Sequence, residues 1–558
     1  MPVSTPKYLY GLIGVLTLVN VLQATYTELI YDEAYYWYFS TQLDWGYFDH
    51  PPMVAWMIAL GSIFFKGTLG VRIVGVLMSS ASYLIIWKTI SNPKKWDYYR
   101  HFLVLLFSMT LLNAYGFFSL PDTPLLFFTA LLFYLLKRFY QLESWGVSIG
   151  IGLVMAALMY SKYHAVLVIL GVIFGNLKLL KNHKAWAAVG ISLLAYTPHL
   201  YWLYEHHFVS VAYHLFERPN RAYDFFDFGL GYWVNLIAIF GLTFPFVYQG
   251  LFQSKNYTPL NKSMWGVILT VLLFFFISSF NRRIQTQWIV VICIPIAYLV
   301  FETILENPKL RSRLWVFGSI NILIIMFLRL GLVYEPLLPI SYEAHGNESW
   351  TAALKDKVGN APVVFENSYR NAAMYAFYTG NKTHSLNSVQ YRQNQYNIDG
   401  SEIDMMGKKV AYISKDSLGS DFSFQKTKEV LYYGKWITNY PGLSRLKATV
   451  TALYKDRIEF SIYNPYAHKV ALSDFKTGLA FLNAYKQFKT IEPIELSLKE
   501  AQKKTSYILP GKSIRLSGKV RKPNDFSNFS YLRLSLAPHS LPFLLGNEHI
   551  KISVWNPF

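Results

Sequence analysis

The sequence has little charge and almost no cysteine. Only 15% of its 558 residues are charged, whereas soluble globular proteins carry about 25%. The single cysteine, Cys293, cannot form an internal disulfide, so cysteine usage says nothing about the redox compartment. The sequence also lacks a Gly-rich phosphate loop, an internal repeat and a Cys/His cluster with metal-ligand spacing. These absences exclude an ordinary soluble protein and leave no nucleotide- or zinc-binding motif.

Long apolar runs are present instead, and they lie before residue 334. The stretch Met53–Phe65 would reach only about 20 Å as a helix, so we predict that it lies at the membrane interface. The first run has no A-x-A cleavage site and is predicted to be an uncleaved anchor. At about 20 apolar residues per crossing, we predict about eleven spans, near residues 8–28, 69–90, 101–119, 123–140, 145–160, 163–180, 185–203, 228–252, 264–280, 284–302 and 314–333.

The net charge of +19 is explained by orientation in a membrane better than by nucleic acid binding. With a cytoplasmic N-terminus, every inside loop is basic, as Lys94, Lys137, Lys181, Lys262 and Arg313 illustrate. An odd number of spans then places the C-terminal part of the chain outside the cytoplasm. We therefore predict a multi-pass protein of the bacterial inner membrane with periplasmic C-terminal domains.

The chain after Tyr334 has the pattern of folded aqueous domains. "APVVFE", "SYRNAAMYAFYTG" and "KKVAYIS" predict strand, helix and strand, and hence a small α/β unit. From about Lys447 apolar and polar residues alternate, which predicts short strands of a β-sandwich. The predicted domains are 1–335 in the membrane with interfacial first-loop helices at 30–68, 336–440 as the α/β unit, and 441–558 as the β-sandwich.

Ionisable side chains gather in the loops that this topology places outside. Arginine is suited to bidentate phosphate contact, and four arginines lie where the charge rule predicts fewer cations. An anionic ligand at the outer interface is therefore expected. The candidates, loop by loop, are Asp32, Glu33, Asp49 and His50; Asp122; Lys162 and His164; His206, Arg218 and Arg221; and Arg282, Arg283 and Gln287.

Several stretches resemble the GT-C membrane glycosyltransferases, nearest to the bacterial branch grouped with protein O-mannosyltransferases and the lipid A aminoarabinose transferase. They are "DEAYYWYFSTQLDWGYFDHPPM", "SLPDTPLLFF", "YSKYHAVLVIL" and "SYRNAAMYAFYTG" followed by "YRQNQY", within about residues 8–400. The resemblance implies an α-helical polytopic fold. It also implies transfer of a sugar from a polyprenyl-phosphate carrier to a hydroxyl or phosphate of an acceptor at the outer face. No cofactor is expected, and a divalent metal is left open.

The resemblance also suggests roles for individual residues. It implies that Asp32 is the catalytic base, Glu33 its neighbour and Asp122 the second-loop acid. In "YFDHPP", Asp49 and His50 stand where the aminoarabinose transferases have Glu and a Lys that meets the carrier phosphate. The chemistry agrees, because the reaction needs an ionised carboxylate for the acceptor proton and a cationic pocket for the leaving phosphate.

Structural alternatives remain open for each of these residues. Asp32 and Asp122 can be helix N-caps, His50 can order the Pro turn, and Lys162 and His164 can snorkel from a helix end. The Arg282–Arg283 pair can be an interface anchor, and "YRQNQY" a plain loop.

For function, an outer-leaflet lipid or glycan is the first acceptor considered and an exported protein the second. A transporter is the rival class. It fits less well because transporters carry midplane charges and repeated halves.

Overall fold

A computed structural model describes residues 6–218, 221–254, 257–427, 429–454, 456–497, 507–546 and 549–554. The chain divides into two compact units. Residues 1–210 and 223–347 contribute to the first unit, and residues 211–222 and 348–558 to the second. The first unit is helical, and the second contains all the described strands.

Helices account for most of the chain up to residue 333. In chain order they are α1 (Pro6–Tyr26), α2 (Tyr31–Ser40), α3 (Met53–Phe64), α4 (Gly67–Thr89), α5 (Tyr99–Ser108), α6 (Thr110–Ala114), α7 (Asp122–Gln141), α8 (Trp145–Ser161), α9 (Ala165–Gly175), α10 (His183–Glu205), α11 (Val209–Ala212), α12 (Gly231–Ala238), α13 (Phe244–Phe252), α14 (Pro259–Ser278), α15 (Cys293–Glu306) and α16 (Pro308–Val333).

Each of the predicted spans contains a helix or a pair of helices, but several are shorter than predicted. Within the described residues, five helices are long and apolar enough to cross a membrane: α1, α4, α7, α14 and α16. A sixth crossing is possible if the helices at Phe225–Ala238 and Gly241–Phe252, which are bent by 92°, form one broken span. The segment predicted at 163–180 forms an 11-residue helix, α9, which is shorter than the roughly 20 residues of a straight crossing.

The first loop is helical where predicted and is fixed to α10. Trp202 Nε1 donates to Asp44 Oδ2 at 2.8 Å, and the ring of His199 lies within hydrogen-bond distance of the Trp45 carbonyl, at 2.7 Å. Gly46 lies directly on the Trp202 ring, so that a Cβ there would come within 2.4 Å of a ring carbon. A side chain at this position would push the loop away from α10, because close-packed interiors have no room for added atoms.

The second unit contains two kinds of sheet. The described strands are β1 (Val363–Glu366), β2 (Thr383–Leu386), β3 (Val410–Ser414), β4 (Phe422–Thr427), β5 (Val430–Ile437), β6 (Lys447–Leu453), β7 (Arg457–Tyr463), β8 (Val470–Ala471), β9 (Phe475–Leu482), β10 (Phe488–Pro493), β11 (Glu495–Ser497), β12 (Tyr507–Ile508), β13 (Ser513–Lys519), β14 (Tyr531–Pro538) and β15 (Ile550–Lys551). A mixed sheet has the order β2-β1-β3-β5-β4, with β1 parallel to both neighbours. Two four-stranded sheets have the orders β10-β9-β14-β15 and β11-β13-β7-β6, and β12 pairs with β8.

The α/β pattern and the strand-rich C-terminal part are confirmed. The predicted strand–helix–strand unit is β1, a helix at Tyr369–Thr379 and β3, and the alternating residues Ile458 and Phe460 are fully buried on β7. The alternation predicted from about Lys447 onward continues through Ile550, Ile552 and Val554, but the strand there is shorter than this pattern predicts: β15 has two residues and a 3-10 helix follows at Ile552–Val554. The predicted domain boundaries at 335 and 440 stay predictions.

Candidate active site

Glu33 is fully buried in an ion pair with Arg72 of α4. Arg72 donates from Nε to Oε1 at 2.8 Å and from Nη2 to Oε2 at 2.5 Å, and both side chains are 0% exposed. The carboxylate also accepts from the backbone N–H of Ser119 at 2.8 Å and of Ile30 at 3.3 Å. Because its oxygens are held in this way, Glu33 fixes the start of α2 against α4 and the turn before α7.

Asp122 and Lys162 form a second buried ion pair. Lys162 Nζ lies 2.7 and 2.9 Å from the two carboxylate oxygens, and the Tyr115 hydroxyl lies 3.5 Å from Oδ2. Asp122 is the first residue of α7, whose N-cap is Pro121, so it is not the N-cap. Lys162 is 6% exposed, which excludes the snorkelling alternative for this residue.

Asp32 differs from these two acids in exposure. It lies in the first turn of α2, whose N-cap is Ile30, so the N-cap alternative is wrong for Asp32 as well. Its side chain is only partly buried, whereas Glu33 and Asp122 are fully buried. The Asp32 carboxylate acts electrostatically on the phenols of Tyr115 and Tyr342, and Asp122 also acts on Tyr115. Tyr115 is thus influenced by two of the three carboxylates predicted to be catalytic, Asp32 and Asp122.

Asp49 and His50 occupy the aromatic loop between α2 and α3. His50 Nε2 lies 3.1 Å from the Tyr36 hydroxyl, and the two rings meet edge to face. Asp49 is 7% exposed and acts electrostatically on the Tyr163 phenol, which lies 3.2 Å from His199 Nε2. The charge of Asp49 in the first loop therefore acts on the turn that follows α8.

The turn between α8 and α9 brings three parts of the candidate site together. Lys162 pairs with Asp122, and the charge of Asp49 acts on the Tyr163 phenol. The His164 ring packs against Phe275 and Trp288, at centroid distances of 5.2 and 5.6 Å. Trp288 follows Gln287, so this turn contacts the second loop through Lys162 and the segment before α15 through His164, and Tyr163 between them feels the charge of Asp49 in the first loop. The predicted order of motifs therefore corresponds to a spatial cluster in the first unit.

The predicted arginines fall into two groups. Arg282 and Arg283 follow α14 in the first unit, where Arg283 lies 3.7 Å from Asp227 and is 67% exposed. Arg218 and Arg221 belong to the second unit. Gln287 donates to Gln285 at 2.9 Å.

The Nδ1 atom of His206 is engaged at the end of α10. The His206 ring stacks on Trp202 at 4.1 Å, and its Nδ1 lies 2.9 Å from the Trp202 carbonyl. In the part of the chain that the structure describes, no group of three or more His, Cys, Asp or Glu side chains could hold a metal ion.

Comparison with known proteins identifies the fold. Residues 49–202 match the family model described as dolichyl-phosphate-mannose-protein mannosyltransferase. ArnT from Cupriavidus metallidurans superposes with a TM-score of 0.55 at 11% identity in its apo state, over 72% of this chain and 92% of ArnT. The structure of ArnT bound to undecaprenyl phosphate gives 0.53 at 12% identity, over 79% of this chain and all of that one. The chain has the GT-C glycosyltransferase fold.

A curated relative agrees with this assignment. Lipid A galacturonosyltransferase RgtD of Rhizobium johnstonii is 30% identical over 212 residues, which is 35% of this chain and 44% of the relative. The match thus spans less than half of RgtD. The resemblance to GT-C glycosyltransferases is confirmed, as is a multi-pass membrane protein with a strand-rich C-terminal part.

Two buried arginines in this GT-C fold were not predicted as site residues. Arg72 pairs with Glu33, and Arg329 of α16 donates to the amide oxygens of Asn20 at 2.8 Å and Asn113 at 3.1 Å. Each arginine stands in an otherwise apolar stretch of the sequence, "GVRIVGV" and "MFLRLGLV". An ionisable residue within a membrane-spanning run is costly and usually has a partner or a function, so this signal could have identified both.

Proposed function

We propose that this protein transfers a sugar from a polyprenyl-phosphate carrier to a lipid or glycan acceptor at the outer face of the inner membrane. Asp32 accepts the proton of the acceptor hydroxyl, whose oxygen forms a bond to the anomeric carbon. The bond between that carbon and the phosphate oxygen breaks, and the carrier phosphate leaves with its charge stabilised by nearby cations. No net oxidation or reduction occurs.

The exposure of Asp32 is the observation that carries this assignment. A general base must come within hydrogen-bond reach of the proton that it removes. Glu33 and Asp122 are fully buried and bonded to Arg72 and Lys162, whereas Asp32 is partly exposed on the same helix turn as Glu33. We therefore assign positioning roles to the two buried acids.

For the carrier phosphate we favour Arg282 and Arg283. Both lie in the segment between α14 and α15, and Arg283 makes a long, exposed contact with Asp227 at 3.7 Å. Such exposed pairs contribute little, so the guanidinium is available to an anion at small cost. His164 and Gln287 are proposed to line the sugar and phosphate path, because His164 packs on Trp288 beside Gln287 and lies two residues after Lys162, the partner of Asp122. His50 is proposed to join them because it stands where the resemblance places a phosphate-binding lysine.

Transfer to an exported protein is the second candidate. It is favoured by the match of residues 49–202 to a family whose description names protein mannosyltransferases. A lipid acceptor is favoured by the similarity to RgtD, which is described as a lipid A galacturonosyltransferase. Glycolipids and exported proteins from a deletion strain, compared by mass spectrometry, separate the two: loss of a sugar from only one class identifies the acceptor.

The catalytic proposal is tested by replacing Asp32 with Asn in the purified full-length protein. Removing a positioned base typically lowers the rate by about 10² to 10⁴, so transfer should be nearly abolished while the melting temperature is unchanged. Asp97→Asn, an exposed carboxylate in the turn before α5, is the matched control and should retain activity. Wild-type turnover by Asp32→Asn would contradict the mechanism.

The proposed orientation has its own test. A reporter that is active only outside the cytoplasm should be active when fused after the last residue. A reporter that is active only in the cytoplasm should be inactive at the same position. The reverse result would remove the outer-face placement of both the chemistry and the second unit.

A further inference from the structure

A cleft of about 480 Å³ lies within the second unit, and the proposed transfer reaction does not use it. Three parts of this unit form its walls: the segment around Tyr213, the loop that contains Tyr391 and Arg392, and sandwich residues that include Lys486, Arg533 and His549. The loop belongs to the "YRQNQY" motif. It is therefore not a plain connection, because it contributes to a cavity large enough for a small ligand.

The lining of the cleft is cationic. Arg392, Lys486 and Arg533 contribute positive charge, and Glu217 is the acidic residue among the described lining residues. Arg533 is the most buried of the three cations, at 8% exposed, and lies on β14 with its Nη2 bonded to His549 Nε2. Within the described residues, its Nε has no hydrogen-bond partner.

This charge persists at neutral pH. Burial lowers the pKa of Arg533 to about 10, and Glu217 partly opposes that shift, so the guanidinium remains protonated. Burial, Arg533 and Lys486 lower the pKa of His549 to about 3, so this ring is neutral and accepts the bond. A buried guanidinium whose hydrogen-bond partner is a neutral ring is costly, and a bound anion would offset that cost.

The surroundings of Arg533 are held in place by specific contacts. Lys486 has a positive φ of 59°, which is uncommon for a residue with a side chain, and its Nζ donates to the Phe216 carbonyl at 2.6 Å. Strained backbone of this kind clusters at functional sites. Arg392 stacks between Tyr213 and Tyr369, 5.3 and 4.7 Å from the ring centroids.

The other lining residues fit a sugar better than a bare anion. Tyr213, Tyr391 and Phe488 supply aromatic faces for the apolar side of a sugar ring. Gln390 and Gln393 supply amide groups that can donate to and accept from hydroxyls. We propose that this cleft is a second ligand site that binds an anionic saccharide, with its phosphate or carboxylate held by Arg533 and Lys486.

The test is a calorimetric titration of the full-length protein in detergent micelles. The probes are glucose 6-phosphate, glucuronate, glucose and inorganic phosphate. Saturable binding of glucose 6-phosphate, glucuronate or both, tighter than glucose and phosphate, is expected, and the stronger of the two identifies the acidic group. Arg533→Gln and Lys486→Gln should each weaken binding about tenfold or more, since each removes a charge-assisted contact.

Controls make the proposal falsifiable. Arg515→Gln removes an exposed arginine from β13 of the same unit and should leave the affinity unchanged. If Arg533→Gln lowers the melting temperature, the partly exposed Lys486 still provides the decisive variant. Absence of saturable binding, glucose or phosphate binding as tightly as the acidic sugars, or affinities unchanged in both variants would overturn the proposal. The same titration on Asp32→Asn should be normal, because binding in this cleft does not require the transfer reaction.

Discussion

The two units bury charge in different ways. In the first unit, Glu33 and Asp122 are matched by Arg72 and Lys162 in ion pairs that are almost free of solvent. In the second unit the buried charges meet neutral groups. Glu402 is 1% exposed and accepts from the Ser444 backbone N–H at 3.0 Å and the Tyr466 hydroxyl at 2.9 Å.

Arg329 is the exception in the first unit, because its described partners are amide oxygens. The difference between paired and unpaired buried charges bears on function. An ion pair closed on itself positions helices, since its charges satisfy each other. A buried charge beside an open cleft, such as Arg533, is instead available to a ligand.

The largest expected effect comes from breaking the Glu33–Arg72 pair. Glu33→Gln leaves a fully buried guanidinium that cannot deprotonate, and such a loss costs about 3–5 kcal/mol. We expect a large fall in the thermal unfolding midpoint in detergent. The double variant Glu33→Gln/Arg72→Met should recover much of this stability, because it removes the orphan charge. No recovery would show that the hydrogen bonds to Ser119 and Ile30 matter more than the charge pair.

Lys162→Met should have a smaller effect on stability. The remaining Asp122 carboxylate can take up a proton and become neutral, so the cost is about 1–3 kcal/mol, that of a poorly satisfied buried polar group. Transfer activity should nevertheless fall, because Asp122 and the 162–164 turn lose their alignment with Tyr115. Thermal unfolding and turnover are measured together. Lys88→Met, at the exposed end of α4, is the control, and an equal loss in both variants would refute a specific role for the pair.

The second unit should be sensitive to mild acid. Burial lowers the pKa of His384 to about 3, so between pH 6.5 and 3 the unfolded chain binds a proton that the folded chain does not. Stability therefore rises with pH through this window, and about 2 kcal/mol is lost between pH 7.5 and 5. His384→Gln should reduce the difference between the melting temperatures at these pH values. His468→Gln, at an exposed position, should leave the difference intact, and equal behaviour of the two variants would contradict the assignment.

The smallest effect on stability is expected for Arg283→Gln. Its pair with Asp227 is long and exposed, and such pairs contribute about 0–1 kcal/mol. Turnover or donor affinity should nevertheless drop by about ten- to a hundred-fold, since a charge-assisted phosphate contact is worth roughly 1.5–3 kcal/mol. Steady-state kinetics and thermal unfolding of the same preparation separate the effect on phosphate binding from the effect on stability. Normal kinetics would assign Arg283 to anchoring at the interface.

The sequence is sufficient to predict secondary structure where the pattern that specifies it is local. Apolar length identified the positions of the helices in the first unit, and the period-2 pattern of Ile458 and Phe460 identified a strand buried on one face. The motif order also predicted that the second and third outer loops meet, as the Asp122–Lys162 pair shows, whereas Arg218 and Arg221 of the fourth loop belong to the second unit. The lengths of individual helices were less predictable. The predicted span 228–252 is broken by a 92° bend between Phe225–Ala238 and Gly241–Phe252, but its first proline is at position 245, after the bend, so no proline in the sequence announced the break.

Tertiary structure decided the exposure and the ion-pair partner of each charged side chain. The sequence places Asp32 and Glu33 side by side, but only the fold gives Glu33 a partner 39 residues away and leaves Asp32 partly exposed. Arg533 lies between Leu532 and Leu534 in an alternating stretch, but β14 is buried on both faces, and Arg533 lines a cleft. Local periodicity reports hydrophobic burial, which depends on neighbours in the chain, whereas charge pairing depends on residues brought together from distant segments.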